Sequence, residues 1–389
     1  MELDRATESI TIRSTYQAAK EVADKIEKHF IDSLFNTTDN LKHKLECVPT
    51  AQLIEEMINV AFWASLRKEE GHSPKVSLAF LPPEQAGQPV ILSNKILLTP
   101  NILTKLAPAV EPLGIHLGIW HEEGELYIWG TTRLIPGFSF VLEVVEPGLL
   151  VIKHGRIEGY GKFVNVAVLK GDQIKIIDQN SGNMPDCPLL LTSLLGFTTP
   201  LTWNNSVNVL IQLSSSMRTH KRGGTLLVVP SQNDNWRESV INPISYPIDP
   251  SNYGLNEIMQ KDINKRNQLN WQAELNGMVE SIAGLTAIDG ATIINDKHEL
   301  LAFGVKTGRS ASSVPVEKIL ITEPIIGGEA IYVHPSQNGG TRHLSAAQFV
   351  FDQRDSIALV ASQDGRFTIF SWSPCEEIVH AHRIDSLLL

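Results

Sequence analysis

From Lys75 to Ile177 the sequence breaks into short apolar, β-branched runs, each bounded by glycine, proline or a polar turn. Val76–Leu81, Ile115–Trp120, Leu126–Trp129, Phe138–Val145, Leu149–Ile152, Phe163–Leu169 and Ile174–Ile177 are too short for helices and have the residue types of strands. This rhythm confines the region to a β-rich architecture. Ahead of it, Ala18, Val22, Ile26 and Phe30 recur at helical spacing, and Gln52–Glu70 repeats the pattern through Leu53, Ile54, Met57, Ile58 and Ala61. The expectation is a helical lead-in over residues 6–70 and a β-rich α+β domain over 1–186. The polar stretch Asn180–Asp186 reads as the linker that closes it.

The second half has another rhythm. Val207–His220 predicts a helix, Arg222–Pro230 a glycine turn feeding a buried strand, and Leu255–Glu280 a long amphipathic helix. Apolar runs follow at Leu285–Ile294, Leu300–Phe303, Ser356–Ala361 and Phe367–Trp372. Helices alternating with such strands predict an α/β domain over 200–389, a mixed sheet covered by helices.

Composition narrows the function. With 389 residues, 42% hydrophobic and 20% charged, the chain has the values of globular domains rather than of a disordered polymer. A net charge of -10 without a basic arm argues against a nucleic-acid partner. Cys47, Cys187 and Cys375 are far apart and outside any Cys-x-x-Cys spacing, which suggests neither a disulfide framework nor a zinc knuckle. The acidic N-terminus has no apolar signal region, so the expected location is the cytoplasm, with no membrane partner. Cys187–Met217 holds no charge and exceeds the roughly 20 residues that a membrane helix needs. Pro188, Pro200, Trp203-Asn204-Asn205 and Ser214-Ser215-Ser216 interrupt it, so it reads as a buried interdomain element.

Two motifs carry chemistry. Asp289-Gly290-Ala291 lies between apolar runs, which puts a carboxylate where a strand begins or turns; alone, Asp-Gly is a common turn pair. Gly339-Gly340-Thr341-Arg342-His343 offers flexible backbone, a hydroxyl, a guanidinium fork and an imidazole ahead of a helix expected to start at Ser345. A helix N-terminus beside a planar cation suits a polyphosphate, although no Walker A sequence is present. Other candidates are weaker. His116 and His121, five apart in a strand-like run, point to opposite faces, so with Glu122 they make no metal site. Trp120 and Trp129 flank a hairpin and read as core or dimer surface. Ser214-Ser215-Ser216 has no Gly-x-Ser-x-Gly context and supports no hydrolase.

In this order and context the two motifs resemble those of the diadenylate cyclase (DAC) family, D-G-A followed by G-T-R-H-R-A-A. Here they stand as Asp289-Gly-Ala291 and Gly340-Thr-Arg-His343-Leu-Ser-Ala-Ala347. His220–Val229 is similar to the family's helix-to-strand step, and Asp355–Gly365 to its closing strand and acidic turn. The resemblance spans residues 203–372, and some family members carry an N-terminal domain that senses a signal. It implies condensation of two ATP molecules into cyclic di-AMP and pyrophosphate, regulated by the N-terminal domain. Catalysis would fall to Asp289, Arg342 and His343, nucleotide binding to Gly290, Ala291, Gly340, Thr341 and Ser345, and Mg²⁺ or Mn²⁺ to Asp289 and Asp364. Two such domains would face each other in a homodimer or higher homo-oligomer. Two departures stand out: Leu344-Ser345 replaces the family's second arginine, and Gln363-Asp364 leaves one carboxylate of an acidic pair. Lys221, Arg222 or Arg309 is a candidate to restore the missing cation. The departures also keep a second reading open, a weak or inactive protein that senses a nucleotide or cyclic dinucleotide.

Overall fold

The computed structural model describes residues 15–35, 48–112, 114–155, 163–183, 186–195, 205–252, 254–260 and 269–389. Residues 6–14 of the expected lead-in, Cys47, and 261–268 of the expected long helix lie outside them. The chain divides into two compact units, Met1–Ile157 with Val166–Ile174, and Glu158–Asn165 with Lys175–Leu389.

The first unit opens with helices α1 (Gln17–Phe35) and α2 (Ala51–Ser65). Their apolar stripes, Ala19, Val22, Ile26 and Phe30 on α1 and Ile54, Met57, Ile58 and Ala61 on α2, are fully or almost fully buried. Tyr16 stacks on Phe62 to join them, ring centres 3.7 Å apart. Strands β1 (Val76–Phe80), β2 (Val90–Leu97), β3 (His116–Glu122), β4 (Glu125–Thr132), β5 (Phe140–Glu146), β6 (Leu149–Gly155), β7 (Phe163–Lys170) and β8 (Gln173–Ile176) form one sheet. Its order is β2-β4-β3-β1-β5-β6-β7-β8, with α3 (Pro100–Leu106) between β2 and β3 in sequence. β1 runs parallel to β3 and antiparallel to β5, so the sheet is mixed. Strand β2 escaped the sequence reading because it is an edge strand exposed along nearly its whole length, without in-out alternation.

The second unit holds α4 (Leu189–Leu194), α5 (Asn205–Thr219), α6 (Gly254–Gln260), α7 (Leu269–Leu285) and α8 (Thr341–Asp352). Its strands are β9 (Gly224–Val229), β10 (Tyr246–Asn252), β11 (Ala291–Asn295), β12 (Leu300–Val305), β13 (Ile319–Thr322), β14 (Ile331–Val333), β15 (Ile357–Ala361), β16 (Phe367–Ser373) and β17 (Ile378–Arg383), in the sheet order β10-β12-β11-β9-β15-β16-β17-β13-β14. Side chains alternate between two cores. Leu226, Val228, Leu359, Phe367 and Ile369 pack with Leu213 and Met217 of α5 and Leu275 and Val279 of α7. Leu227, Val229, Ala358, Val360 and Phe370 pack with Ala346, Ala347, Phe349 and Val350 of α8. Strands buried on both faces explain the unbroken apolar runs. The whole is a mixed α/β structure built on two mixed sheets.

Several details differ from the sequence reading. α8 begins at Thr341 rather than Ser345, because Gly340 is extended and its carbonyl accepts from the amides of His343 and Leu344. Of the uncharged stretch, Leu190, Leu191, Leu194, Val209, Leu213 and Met217 belong to the core of the second unit. The 180–186 segment is also tied to that unit: Asp186 Oδ2 accepts from Ser373 Oγ and the Cys375 amide, each at 2.9 Å. No helix among the described residues is long and apolar enough to cross a membrane.

Gly118 marks one of the closest approaches in the first sheet. A Cβ there would fall 2.0 Å from the ring of Trp129, whose Nε1 donates to Leu81 O at 2.8 Å. Gly118→Ala is expected to destabilise the first unit by about 2 kcal/mol or more. Denaturant unfolding followed by tryptophan fluorescence would check this, and an unchanged midpoint would contradict it.

Candidate functional site

The pairing of the second sheet gathers residues far apart in sequence at one sheet end. β9 and β11 run parallel with Thr225 opposite Ala291, and β15 runs antiparallel to β9 with Ala361 opposite Gly224. The starts of β9 and β11 therefore lie beside the end of β15. Loops 220–223, 286–290 and 362–366 emerge there together.

Asp289 sits in the bend between α7 and β11, exposed, and among the described residues its carboxylate has no hydrogen-bond or ion-pair partner. Gly290 beside it has φ +104°, and a Cβ there would lie 2.6 Å from the carbonyl carbon of Gly304. Only glycine meets both constraints. They hold the Asp289 bend flat against the end of β12. Thr286 braces the same loop, its hydroxyl donating to Ala283 O at 2.6 Å and lying 3.2 Å from His220 Nε2. Ala291 is the first strand residue, its methyl in the core on the α8 side.

The second motif meets this edge through Arg342. Its Nη1 is 3.1 Å from where a Cβ of Gly223 would stand, with Ala361 O and the Gln363 side chain also within 3.4 Å of that point. Gln363 Nε2 donates to Arg222 O at 3.3 Å, so Arg222 belongs to this same edge. Arg309 does not: its neighbour Ser310 is bound through its amide to Asp352 at the far end of α8. No carboxylate pairs with Arg342 among the described residues. Thr341 is exposed in the first turn with Ser345 one turn on, and Gly340 caps the helix without side-chain help. The first helical amides, of Thr341 and Arg342, have no acceptor within the helix. Hydroxyl, guanidinium, free amides and helix dipole together make an anion-binding corner, and Asp289 supplies a carboxylate to the same sheet end.

His343 and Asp364 depart from this group. The His343 imidazole is buried, edge-on to Phe370 at 5.9 Å, with Nε2 3.5 Å from Thr368 Oγ1. Burial pushes its pKa down to about 4, reinforced by Arg383, Arg366 and Arg342 against the opposing pull of Asp364. Near neutral pH it is an uncharged group turned into the sheet, able to steady the first turn of α8. Burial alone would raise the Asp364 carboxyl. The Arg366 amide, the Ser362 side chain and the Arg366 guanidinium outweigh it and hold the group below the ordinary aspartate value. Arg366 Nε stands 3.4 Å away, so Asp364 is engaged in its own turn. No cluster of three or more His, Cys, Asp or Glu suited to a metal occurs among the described residues. Gly223, Gln363 and Gly304 were missed as site residues by sequence reasoning; the doubled Gly223-Gly224 ahead of a buried strand was the available signal.

With this geometry in hand, comparison with known proteins adds the following. Residues 43–133 match the family profile described as "Probable sensor domain DACNV". Among curated proteins none matches. Several solved structures are similar to part of the chain, among them the following two. One is described as the hypothetical membrane spanning protein from Bacillus cereus, at 14% identity and TM-score 0.28, covering 49% of this chain and 69% of that one. The other is DacA from Staphylococcus aureus, solved as a double cysteine mutant, at 12% identity and TM-score 0.24, covering 45% and 85%. Likenesses this distant carry no weight for the chemistry of this chain. The first unit thus contains a match to a sensor domain, and the matched stretch includes α2, strands β1 to β4 and α3.

The buried imidazole generates a pH prediction. A histidine with an unfolded value near 6.5 and a folded value of about 4 leaves the unfolded chain more protonated between those limits. Stability is therefore complete above about pH 6.5 and falls as pH drops toward 4, by at most about 3 kcal/mol from this group. His343→Gln should flatten that part of the stability–pH curve, and an unchanged slope would remove His343 as its source.

Proposed function

We propose that this protein is a diadenylate cyclase controlled by its sensor unit. The observation that carries the reading is the convergence of Asp289 with Thr341 and Arg342 at one end of the second sheet, across 52 residues of intervening sequence. Both DAC-type motifs thereby reach the same edge. The match of residues 43–133 to a sensor domain supports the regulatory half.

In this mechanism the triphosphate of ATP docks on the free amides of Thr341 and Arg342, the Thr341 hydroxyl and the Arg342 fork, with Arg222 adding charge. Ser345 lies one turn behind on the same helix face, Gly340 leaves open space for the ligand, and Gly290 fixes the Asp289 bend against Gly304. Asp289 accepts the proton of the ribose 3′-hydroxyl, whose oxygen attacks the α-phosphorus of the second ATP as the bond to pyrophosphate breaks. Repetition in the other direction closes the ring and releases a second pyrophosphate. His343, neutral and buried, keeps Thr341 and Arg342 aligned. Mg²⁺ or Mn²⁺ suits the exposed, unpaired carboxylate of Asp289, since Mg²⁺ binds through one or two carboxylates plus substrate phosphates. It would lower the pKa of the attacking hydroxyl and neutralise phosphate charge. Asp364 is a poorer ligand, held by Arg366. Because each ATP is both nucleophile and electrophile, two copies of the chain must face each other.

The engagement of Asp364 with Arg366 and the exposed Leu344 in place of a cation favour one other reading, nucleotide binding with slow or no turnover. Incubation of the chain with each nucleoside triphosphate and Mg²⁺ or Mn²⁺, with products identified by mass, separates the two. Cyclic di-AMP from ATP is expected. Asp289→Asn should lower turnover at least a hundredfold while ATP affinity stays within about tenfold. Arg342→Ala should weaken both affinity and rate, each by roughly tenfold to a hundredfold. Unimpaired turnover in Asp289→Asn would end the assignment. Specific activity should also rise with protein concentration, and a monomer with concentration-independent activity would exclude the face-to-face arrangement.

A further inference from the structure

Away from the anion-binding corner, β17 carries His380 and His382 two residues apart, so both imidazoles rise from one face of the strand. Val379 and Ala381, between them and behind, point to the opposite face and pack with α8. Ser371 of β16 stands opposite His380, and Thr322 of β13 opposite His382. The two histidines are 3% and 0% exposed.

Each ring is anchored through one nitrogen. His380 Nε2 lies 2.9 Å from Glu376 Oε2, and His382 Nδ1 lies 2.7 Å from Thr322 Oγ1. A carboxylate only accepts, so His380 Nε2 is the donor, and in the neutral ring Nδ1 is left with the lone pair. That Nδ1 is buried with no hydrogen-bond partner, and so are His382 Nε2 and Ser371 Oγ. Three unsatisfied polar atoms on one strand pair are far from the usual state of a protein interior. An imidazole held from behind by a carboxylate or hydroxyl, with its other nitrogen open, is the arrangement of a metal-binding histidine.

The spacing fits the same interpretation. Nitrogen–metal bonds of about 2.0–2.1 Å, with each nitrogen roughly 1.1 Å from its ring centre, put two rings on a tetrahedral ion about 5 Å apart. The observed separation is 5.5 Å, with the ring planes at 73°. We propose that His380 and His382 bind a divalent transition ion of the Zn²⁺ class, with the Ser371 hydroxyl or water completing the shell and Glu376 and Thr322 as positioning partners. Glu376, the partner of His380, stands on the exposed turn 374–377. The site is separate from the proposed cyclase chemistry.

Untagged full-length protein, stripped with a chelator, would be titrated with Co²⁺ and its visible absorption followed. One equivalent should give the intense bands of a tetrahedral ion, displaced by Zn²⁺. His380→Gln and His382→Gln should each weaken binding at least tenfold, and the exposed His334→Gln should not. Glu376→Gln, a change on an exposed turn, should weaken binding roughly tenfold. This variant and the wild-type titration keep the test decisive if the buried variants misfold. Absence of saturable binding in the wild type overturns the proposal, as does unchanged affinity in Glu376→Gln and whichever histidine variants fold. Water alone would then occupy the site.

Discussion

The parallel pairing of β9 with β11 is the constraint on which the rest of the second unit depends. It places Thr225 beside Ala291, across more than 60 residues, and everything at the candidate site is referred to that register. A slip of one residue would turn Leu226 and Val228 from the α5–α7 core toward α8, exchanging the two apolar faces at once. Because both faces are buried, the register is strongly specified. The loops at the sheet end therefore inherit a fixed separation, which the Gln363–Arg222 and His220–Thr286 contacts reinforce.

The electrostatics of that sheet end follow from depth rather than from residue type. Thr341, Arg342 and His343 are consecutive in the first turn of α8, where side chains fan out around the axis. Arg342 reaches the Gly223 edge and keeps its charge available. His343 turns inward against Phe370 and loses its charge to burial. Asp289 and Asp364 are both exposed and differ instead in their partners. Among the described residues no cation pairs with Asp289, whereas Asp364 is held by the arginine two residues on. The three polar side chains of this turn thus divide into a binding surface and a buried brace.

In the first unit the controlling fact is the closeness of β3 and β4, where Trp129 lies over Gly118 and hydrogen-bonds to Leu81, the residue after β1. That wedge, with the α1–α2 pair, gives this unit a core of its own.

What the sequence determined by itself was whatever depends on local periodicity and steric demand. The α1 and α2 stripes, most strands of the first unit, and β9, β15 and β16 were legible because burial imposes a period of 3.6 or an apolar run of fixed length. The two motifs were legible because Asp-Gly-Ala and Gly-Thr-Arg-His combine turn chemistry with charge. Tertiary structure alone decided the rest. Edge strands β2, β10 and β14 lack the buried alternation that marks a strand, so only pairing identifies them. The inward turn of His343, the pairing of Asp364 with Arg366 and the choice of Arg222 over Arg309 at the site depend on which segments the sheet brings within a few ångströms. The same holds for His380 and His382, whose i, i+2 spacing is plain in the sequence. Their open nitrogens exist only because β16, β13 and the turn at Glu376 close around them, and burial turns an ordinary pair of histidines into a site.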